Sequence, residues 1–233
     1  MSRIAAIIPA AGLGTRMGAD TPKQFLELEG TPLVIHSVRR IASCPLVTDI
    51  IVATRADVVE SLEERIRGER FMQTVRVVRG GDSRQDSVAL ALKEVSNDTE
   101  IVLVHDAVRP LIDVATIDRT IDAVAEHGAA IVGLPAVDTI KQVERTAHGA
   151  LITSTIPREF VVLAQTPQGF RYGLLQRAFA EATADGFVGT DEASVAERAG
   201  HPVAVVHGSQ VNLKITQPGD LELAEFYLRQ RAR

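Results

Sequence analysis

The order of apolar segments along this chain is the feature that most limits how it can fold. Short apolar runs typical of buried strands alternate with longer segments in which apolar residues recur at helical spacing. Strands are predicted at Ile4–Ile8, Asp49–Ala53, Val75–Val78, Ile101–Val104, Ala129–Leu134, Val203–Val206 and Val211–Ile215. Helices are predicted at Thr31–Cys44, Val58–Ile66, a segment capped by Asp82 or Ser83, Ile117–Glu126, Tyr172–Ala184, Asp191–Ala199 and Gly219–Leu228. Strands separated by helices form parallel βαβ units, so the sequence predicts an α/β fold with helices on both faces of a mostly parallel sheet.

The segment Asp138–Ile156 breaks this alternation. It is rich in Thr, Ile and Val, with His148 and Gly149 near its middle, which is typical of a two-stranded hairpin. An isolated hairpin is marginally stable in water, so we expect this one to pack on something such as another subunit. The predicted fold is a Rossmann-like three-layer sandwich with a mostly parallel sheet and a protruding β-hairpin arm. Residues 1–233 are predicted to form a single domain, with residues 138–158 as its arm.

The composition excludes several classes of protein. Apolar residues make up 45% and charged residues 24% of the 233 residues, which is the balance of an ordinary globular chain. The net charge of −5 and the aromatic content of 4% argue against a nucleic-acid-binding surface. The apolar runs near the start are too short for a membrane span or a signal peptide, so we expect a cytoplasmic protein with no membrane partner. Cys44 is the only cysteine, which excludes an intramolecular disulfide.

A glycine-rich loop follows the first predicted strand. The loop runs over Pro9–Gly18 and is followed by Pro22, Lys23 and Gln24. Small residues allow backbone N–H groups to close on phosphate oxygens, and Arg16 and Lys23 add two cations. The loop does not match the dinucleotide fingerprint, because Met17 stands where that fingerprint needs a small residue, and the chain contains no Gly-Lys pair for a Walker motif. The sequence therefore predicts a phosphate site of another kind.

Charged residues near the ends of later predicted strands suggest a second part of the same site. Asp106 follows the strand Ile101–Val104, where ligands bind in open α/β sheets, and a lone carboxylate there suits Mg²⁺ together with substrate phosphates. Arg109 follows three residues later and is predicted to face the same pocket. Lys214 is predicted on the strand face opposite to Leu213 and Ile215. Each of these residues also has a structural alternative. Asp106 could cap a turn, Arg109 could form a surface ion pair, and Lys214 could lie on a solvated strand face.

Two acidic residues are predicted to have structural roles only. Asp191 and Glu192 follow Thr190 at the start of a predicted helix. Their positions match a helix N-cap and a first-turn acid, which stabilise helix starts.

Further blocks of sequence follow the glycine-rich loop in a fixed order. They are Gly80–Val88, His105–Pro110, Gln165–Gln168, Thr190–Ser194 and Asn212–Thr216. Together with Gly12–Lys23, these blocks resemble the 2-C-methyl-D-erythritol 4-phosphate cytidylyltransferase family, nucleotidyltransferases of the non-mevalonate isoprenoid pathway. The resemblance spans nearly the whole chain.

The resemblance implies an activity, a set of site residues and a dimer. The phosphate of methylerythritol phosphate would attack the α-phosphorus of CTP, with Mg²⁺ present, and pyrophosphate would leave. Arg16 and Lys23 would stabilise the transition state. The CTP-binding residues would be Ala10, Ala11, Gly12, Gly14, Gly81, Asp82 and Ser87. The acceptor phosphate would be held by Asp106, Arg109, Thr139, Arg158, Thr166 and Lys214, with Arg158 and Lys214 in catalytic roles and Asp106 also binding the metal. Arg158 would come from the arm of the partner subunit in a homodimer.

Three alternative functions fit parts of the same pattern. A cytidylyltransferase for another polyol phosphate, such as ribitol 5-phosphate, would use the same blocks. A sugar-1-phosphate nucleotidyltransferase is disfavoured by the Gly80–Val88 block and the hairpin. A nucleotide-binding module without catalysis would be expected to lack Arg16 or Lys23, and both are present.

Overall fold

The computed structural model describes residues 3–12 and 22–231. Its strands are β1 Arg3–Ala10, β2 Glu27–Leu28, β3 Thr31–Pro32, β4 Asp49–Thr54, β5 Thr74–Arg79, β6 Thr99–Val104, β7 Ala129–Pro135, β8 Ile140–Thr146, β9 Gly149–Ile156, β10 Val162–Arg171 and β11 Ala204–His207. Its helices are α1 Leu33–Ala42, α2 Val59–Glu69, α3 Arg84–Lys93, α4 Val114–His127, α5 Tyr172–Ala184, α6 Glu192–Arg198 and α7 Pro218–Arg231. None of these helices is both long enough and apolar enough to cross a membrane.

The central sheet has seven strands in the order β11-β7-β10-β6-β1-β4-β5. Every pairing in it is parallel except those of β10, which runs antiparallel between β6 and β7. Strand β1 shows why the apolar runs are continuous: Ile4, Ala6 and Ile8 pack with α1, α2 and α4, whereas Ala5 and Ile7 pack with α3, α5 and α6. A strand buried on both faces needs apolar residues at every position. The predicted α/β sandwich with a mostly parallel sheet is therefore confirmed.

Strand β10 is the element that the sequence did not indicate. Its centre holds Gln165, Thr166, Pro167 and Gln168, and proline is normally absent from the middle of a sheet because it cannot donate a ladder hydrogen bond. The structure accommodates Pro167 through a cis Thr166–Pro167 peptide and a shift in the β7 register between Gln165 and Gln168. The side chains of Gln165, Thr166 and Gln168 are buried, so the usual alternation of apolar and polar residues is missing.

Two local predictions are wrong. Val211–Ile215 is not a strand: the segment joins no ladder, and the N–H of Ile215 donates to the carbonyl of Val108. Its apolar residues instead pack in a small cluster with Leu28, Leu33 and residues of α7. Thr31 is not a helix cap, because Thr31 and Pro32 pair with β2 and the helix begins at Leu33.

The predicted hairpin is present as β8 and β9, joined by a turn at residues 147 and 148. Its side chains are exposed on both faces, and only Ile140 and Ile156 at its base are half-buried. The strands form a sheet of their own, separate from the seven-stranded sheet. The hairpin therefore has the exposed, arm-like form that the sequence predicts.

Candidate active site

A cavity of about 410 Å³ opens where β1 and β6 end. This is the edge of an open α/β sheet at which ligands bind. The cavity brings together residues that the sequence placed in one site from four distant segments: Ala10, Ala11, Gly12, Lys23, Ser87, Asp106 and Lys214. Arg16 and Gly14 lie outside the described residues, so their predicted roles stay predictions.

Gln24 holds the first, described part of the glycine-rich loop. The side chain of Gln24 is buried, and its amide donates to the carbonyl oxygens of Ala10 at 2.7 Å and Gly12 at 2.8 Å. Because a trans peptide holds its C=O and N–H in opposite directions, this contact turns the N–H of Ala11 away from Gln24. Gln24 thus fixes the backbone beside Lys23, a role that sequence reasoning did not give it.

The turn between β5 and α3 forms a second wall. The Ser87 hydroxyl accepts from the N–H of Gly81 at 3.1 Å and donates to the carbonyl of Ser83 at 2.8 Å. A Cβ at Gly80 would lie 2.7 Å from the Ala11 Cβ and 2.9 Å from the Ser87 Oγ, so only glycine permits this close approach. Ser83, not Asp82, caps α3. Gly81 and the exposed Asp82 lie at the turn, outside the cavity lining.

Asp106 lies at the centre of a cluster of cations. Its Oδ2 is 2.9 Å from Lys214 Nζ and 3.5 Å from Arg109 Nε, and its Oδ1 is 3.2 Å from Arg84 Nη2. Burial alone would raise the pKa of Asp106, but the positive charges of Arg84, Lys214 and Arg109 outweigh it and hold that pKa well below its ordinary value. Asp106 is therefore ionised, and it holds together cations that would otherwise repel one another.

Arg84 connects this cluster to a second carboxylate, on α6. Its Nη1 and Nη2 donate to the two carboxylate oxygens of Glu192 at 2.6 and 2.9 Å. Asp191 is the helix cap that the sequence predicts, with a capping box to Ser194. Glu192 is the predicted first-turn acid, but its side chain is 1% exposed and paired with Arg84, a contact that the sequence did not indicate. Burial raises the pKa of Glu192, and the charge of Arg84 opposes that rise.

A chain of hydrogen bonds supports Asp106 from within the protein. The Thr166 hydroxyl accepts from the N–H of Asp106 at 3.0 Å and lies 3.0 Å from Nδ1 of His105. Because the carbonyl of Arg109 can only accept, the neutral ring keeps its hydrogen on Nε2, and Nδ1 accepts from the Thr166 hydroxyl. His105 Nε2 then carries the hydrogen that bonds the carbonyl of Arg109 at 3.0 Å. Burial lowers the pKa of His105 to about 4 and keeps the ring neutral.

Arg109 and Thr166 are not among the residues that line the cavity. Arg109 is buried, and its Nη1 donates to the carbonyl of Asn212, two residues before Lys214, at 2.7 Å. Burial lowers the pKa of Arg109, and the charge of Asp106 opposes that effect. In this chain both residues position Asp106 and Lys214, and their predicted contact with substrate stays a prediction.

Thr139 and Arg158 lie at the base of the arm. Both are exposed, and Arg158 Nη1 donates to the carbonyl of Val137 at 2.6 Å. Neither lines the cavity of its own chain. Their predicted contact with substrate, including the origin of Arg158 in a partner subunit, stays a prediction.

The described residues hold no cluster of three or more His, Cys, Asp or Glu side chains suited to a metal ion. Asp106 offers a single carboxylate, whose oxygens are engaged by Lys214 and Arg84. Mg²⁺ accepts one protein carboxylate when water and substrate phosphates supply the other oxygens. Asp106 would therefore hold Mg²⁺ only together with substrate phosphates, and in exchange for one of its present cation contacts.

Comparison with known proteins identifies the family of this chain. The family model described as IspD, 2-C-methyl-D-erythritol 4-phosphate cytidylyltransferase, matches residues 4–230. The 2-C-methyl-D-erythritol 4-phosphate cytidylyltransferase of Acidobacterium capsulatum is 64% identical over 99% of both chains. That of Solibacter usitatus is 52% identical over 99% of this chain and 97% of its own.

Solved structures give the same result. The 4-diphosphocytidyl-2C-methyl-D-erythritol synthase of Anaerococcus prevotii superposes with a TM-score of 0.84 at 29% identity, covering 98% of this chain and 99% of its own. The 2-C-methyl-D-erythritol 4-phosphate cytidylyltransferase of Thermus thermophilus superposes with a TM-score of 0.79 at 33% identity, covering 97% and 99%. The chain thus belongs to the 2-C-methyl-D-erythritol 4-phosphate cytidylyltransferase family.

Proposed function

We propose that the cavity at the ends of β1 and β6 is where this cytidylyltransferase joins CTP to 2-C-methyl-D-erythritol 4-phosphate. The observation that carries this placement is the meeting of Lys23, Arg84 and Lys214 with the glycine-rich loop around one cavity. Anionic substrates need such a concentration of positive charge and backbone donors. The product is 4-(cytidine 5'-diphospho)-2-C-methyl-D-erythritol, an isoprenoid precursor, and we place the reaction in the cytoplasm, where CTP is available.

The chemistry is a transfer of the cytidylyl group. An oxygen of the acceptor phosphate forms a bond to the α-phosphorus of CTP, while the bond from that phosphorus to the pyrophosphate oxygen breaks. A phosphate is already a nucleophile at neutral pH, so no general base is required. Catalysis then consists of bringing the anions together and stabilising the charge that develops.

The cations of the cavity act on different phosphate groups of the substrates. Lys23, next to the loop, and Arg16 stabilise the α-phosphate transition state and the leaving pyrophosphate. Lys214 is paired with Asp106 and positions the acceptor phosphate. Asp106 would hold Mg²⁺ together with substrate phosphates, and the ion would neutralise part of their negative charge.

A homodimer would complete the acceptor side of the site. Large apolar side chains are exposed along the arm and just after it: Val143, Leu151, Ile152, Phe160 and Leu163, with Phe160 83% exposed. Contiguous exposed apolar surface marks an interaction site. We propose that a second copy covers this surface, and that its Thr139 and Arg158 reach the cavity.

A substrate panel tests the activity and its acceptor. The protein is incubated with each nucleoside triphosphate, with and without Mg²⁺, and with a series of polyol phosphates, while pyrophosphate release is measured. CTP with methylerythritol phosphate should be the fastest pair, and the rate should depend on Mg²⁺. Faster turnover of ribitol 5-phosphate under equal conditions would show that the acceptor is wrong.

A further inference from the structure

We propose that Glu192 is a positioning residue: by holding Arg84 in place it keeps Asp106 paired with Lys214, so that Lys214 is aligned for the acceptor phosphate. Arg84, Asp106 and Lys214 line the cavity, whereas Glu192 does not. Its contact with the residues that line the cavity runs through Arg84, which bonds both of its carboxylate oxygens. The inference rests on the proposed placement of the acceptor phosphate beside Lys214.

The geometry of Arg84 shows how Glu192 orients it against Asp106. Its guanidinium is shared between two carboxylates, with Nη1 and Nη2 on Glu192 and with Nε and Nη2 on Oδ1 of Asp106. A guanidinium has a rigid fork of donors, so the Glu192 contact fixes which edge faces Asp106. Only Oδ1 of Asp106 is used by Arg84, and Oδ2 stays with Lys214 at 2.9 Å.

The charges of the cluster give the consequence of losing Glu192. Three cations, Arg84, Arg109 and Lys214, face two carboxylates, Asp106 and Glu192. Without the Glu192 charge, Arg84 has only Asp106 as counter-ion and competes with Lys214 for it. The cluster then carries more positive charge and holds anions at least as tightly, but Lys214 is no longer fixed in one position.

The structure also argues against a purely architectural role for Glu192. The start of α6 is already capped by Asp191 and Ser194. Gln168 donates to Asp191 at 2.8 Å and accepts from the N–H of Ala193 at 3.0 Å. The preceding loop is fastened separately, because Gln85 on α3 bonds the backbone of Phe187 and Gly189. The helix start is thus held without Glu192, and a buried ion pair is by itself weak evidence for stability.

The test is Glu192→Gln, which keeps the size of the side chain and removes its charge. We expect kcat for CTP and methylerythritol phosphate to fall about tenfold, because misplacement of a positioning group acts on the reacting geometry. The KM for methylerythritol phosphate should not rise. The Kd of inorganic pyrophosphate, measured by calorimetry without turnover, should fall about threefold or more as the cluster gains positive charge.

Four further variants isolate the pathway through Arg84. Glu197→Gln, an exposed acid on the same helix, is the matched control and should leave kcat and the pyrophosphate Kd unchanged. Arg84→Met removes the guanidinium through which Glu192 acts, so adding Glu192→Gln to Arg84→Met should lower kcat by less than about twofold further. If Glu192→Gln does not fold, Glu192→Asp keeps the charge and should show a lower kcat with a pyrophosphate Kd near the wild-type value.

Each outcome of these measurements either supports or overturns the role of Glu192. A folded Glu192→Gln enzyme with wild-type kcat and pyrophosphate Kd would overturn the proposal, as would a tenfold fall in kcat when Glu192→Gln is added to Arg84→Met. Wild-type turnover and a Lys214→Ala variant are measured alongside. An inactive wild type, or a Lys214→Ala enzyme with unchanged kinetics, would refute the proposed placement of the reaction rather than the role of Glu192.

Discussion

Lys23 is the cation that the cavity holds next to the glycine-rich loop. Its charge should act mostly in the transition state, where negative charge grows on the α-phosphate and the leaving pyrophosphate. Lys23→Ala should therefore lower kcat by at least about a hundredfold, with a smaller change in KM. Steady-state kinetics measure both values. Lys93→Ala, an exposed lysine at the end of α3, is the control, and a folded Lys23→Ala enzyme with wild-type kcat would contradict the role.

His105 makes the stability of the fold depend on pH. Burial lowers its pKa from 6.5 to about 4, so between those values the unfolded chain binds a proton that the folded protein does not. The free energy of unfolding should decrease as pH falls through this window, by about 3 kcal/mol from this group. Chemical denaturation at pH 7 and pH 4 measures the decrease. His105→Asn should show a smaller decrease, and equal decreases in the two proteins would contradict the prediction.

Single residues differ in how far the sequence alone could assign them. Asp106 and Lys23 were predictable, because each stands beside a strand end or a loop whose chemistry is local. Arg84 and Glu192 were not, because the contact between them joins positions 108 residues apart. The same holds for His105 and Thr166, 61 residues apart. These pairs meet only because the sheet places strands that are distant in sequence, and the segments that follow them, side by side.

The turn between β5 and α3 is the element whose shape depends most on one glycine. In Gly80→Ala the new Cβ would stand 2.7 Å from the Ala11 Cβ and 2.9 Å from the Ser87 Oγ. Either the backbone at Ala11 or the helix at Ser87 must move, so we expect the free energy of unfolding to fall by about 1–3 kcal/mol. The KM for CTP should rise about tenfold, because misplaced backbone donors weaken phosphate binding. Denaturant titration and steady-state kinetics measure the two effects.

Gly68 in α2 provides a matched control for that substitution. A Cβ at Gly68 would meet nothing within 4 Å. Gly68→Ala should therefore raise the free energy of unfolding by about 0.5–1 kcal/mol, as alanine does in helices, and leave the KM for CTP unchanged. If both variants changed the KM equally, the steric argument for Gly80 would be wrong.

Elements with regular apolar spacing were predictable, and the exceptions have physical causes. Helices α1 and α4 each bury one apolar face against the sheet, so their periodicity is visible in the sequence. Strand β10 buries Gln165, Thr166 and Gln168 for use around the site, which removes the strand pattern. The segment at Val211–Ile215 has alternating apolar residues because it packs on α7 and the loop after β6, not because it joins a sheet.

At the scale of the whole molecule, the arm connects the site to the oligomeric state. Thr139 and Arg158 are exposed and lie outside the cavity of their own chain, and the apolar side chains along the arm are uncovered. A twofold dimer would bury those side chains and place each arm beside the other subunit's cavity. We therefore expect a homodimer in solution, which light scattering measures.

Mixing two inactive variants tests whether Arg158 acts across the dimer. Arg158→Ala and Lys23→Ala should each be nearly inactive alone. In a hybrid dimer, one site combines both defects, whereas the other has Lys23 from one subunit and Arg158 from its partner. With random and complete exchange, activity should approach about a quarter of wild type, because half of the dimers are hybrids with one intact site each. Tagged subunits verify the exchange. If exchange occurs and no activity returns, Arg158 acts within its own subunit or takes no part in the reaction.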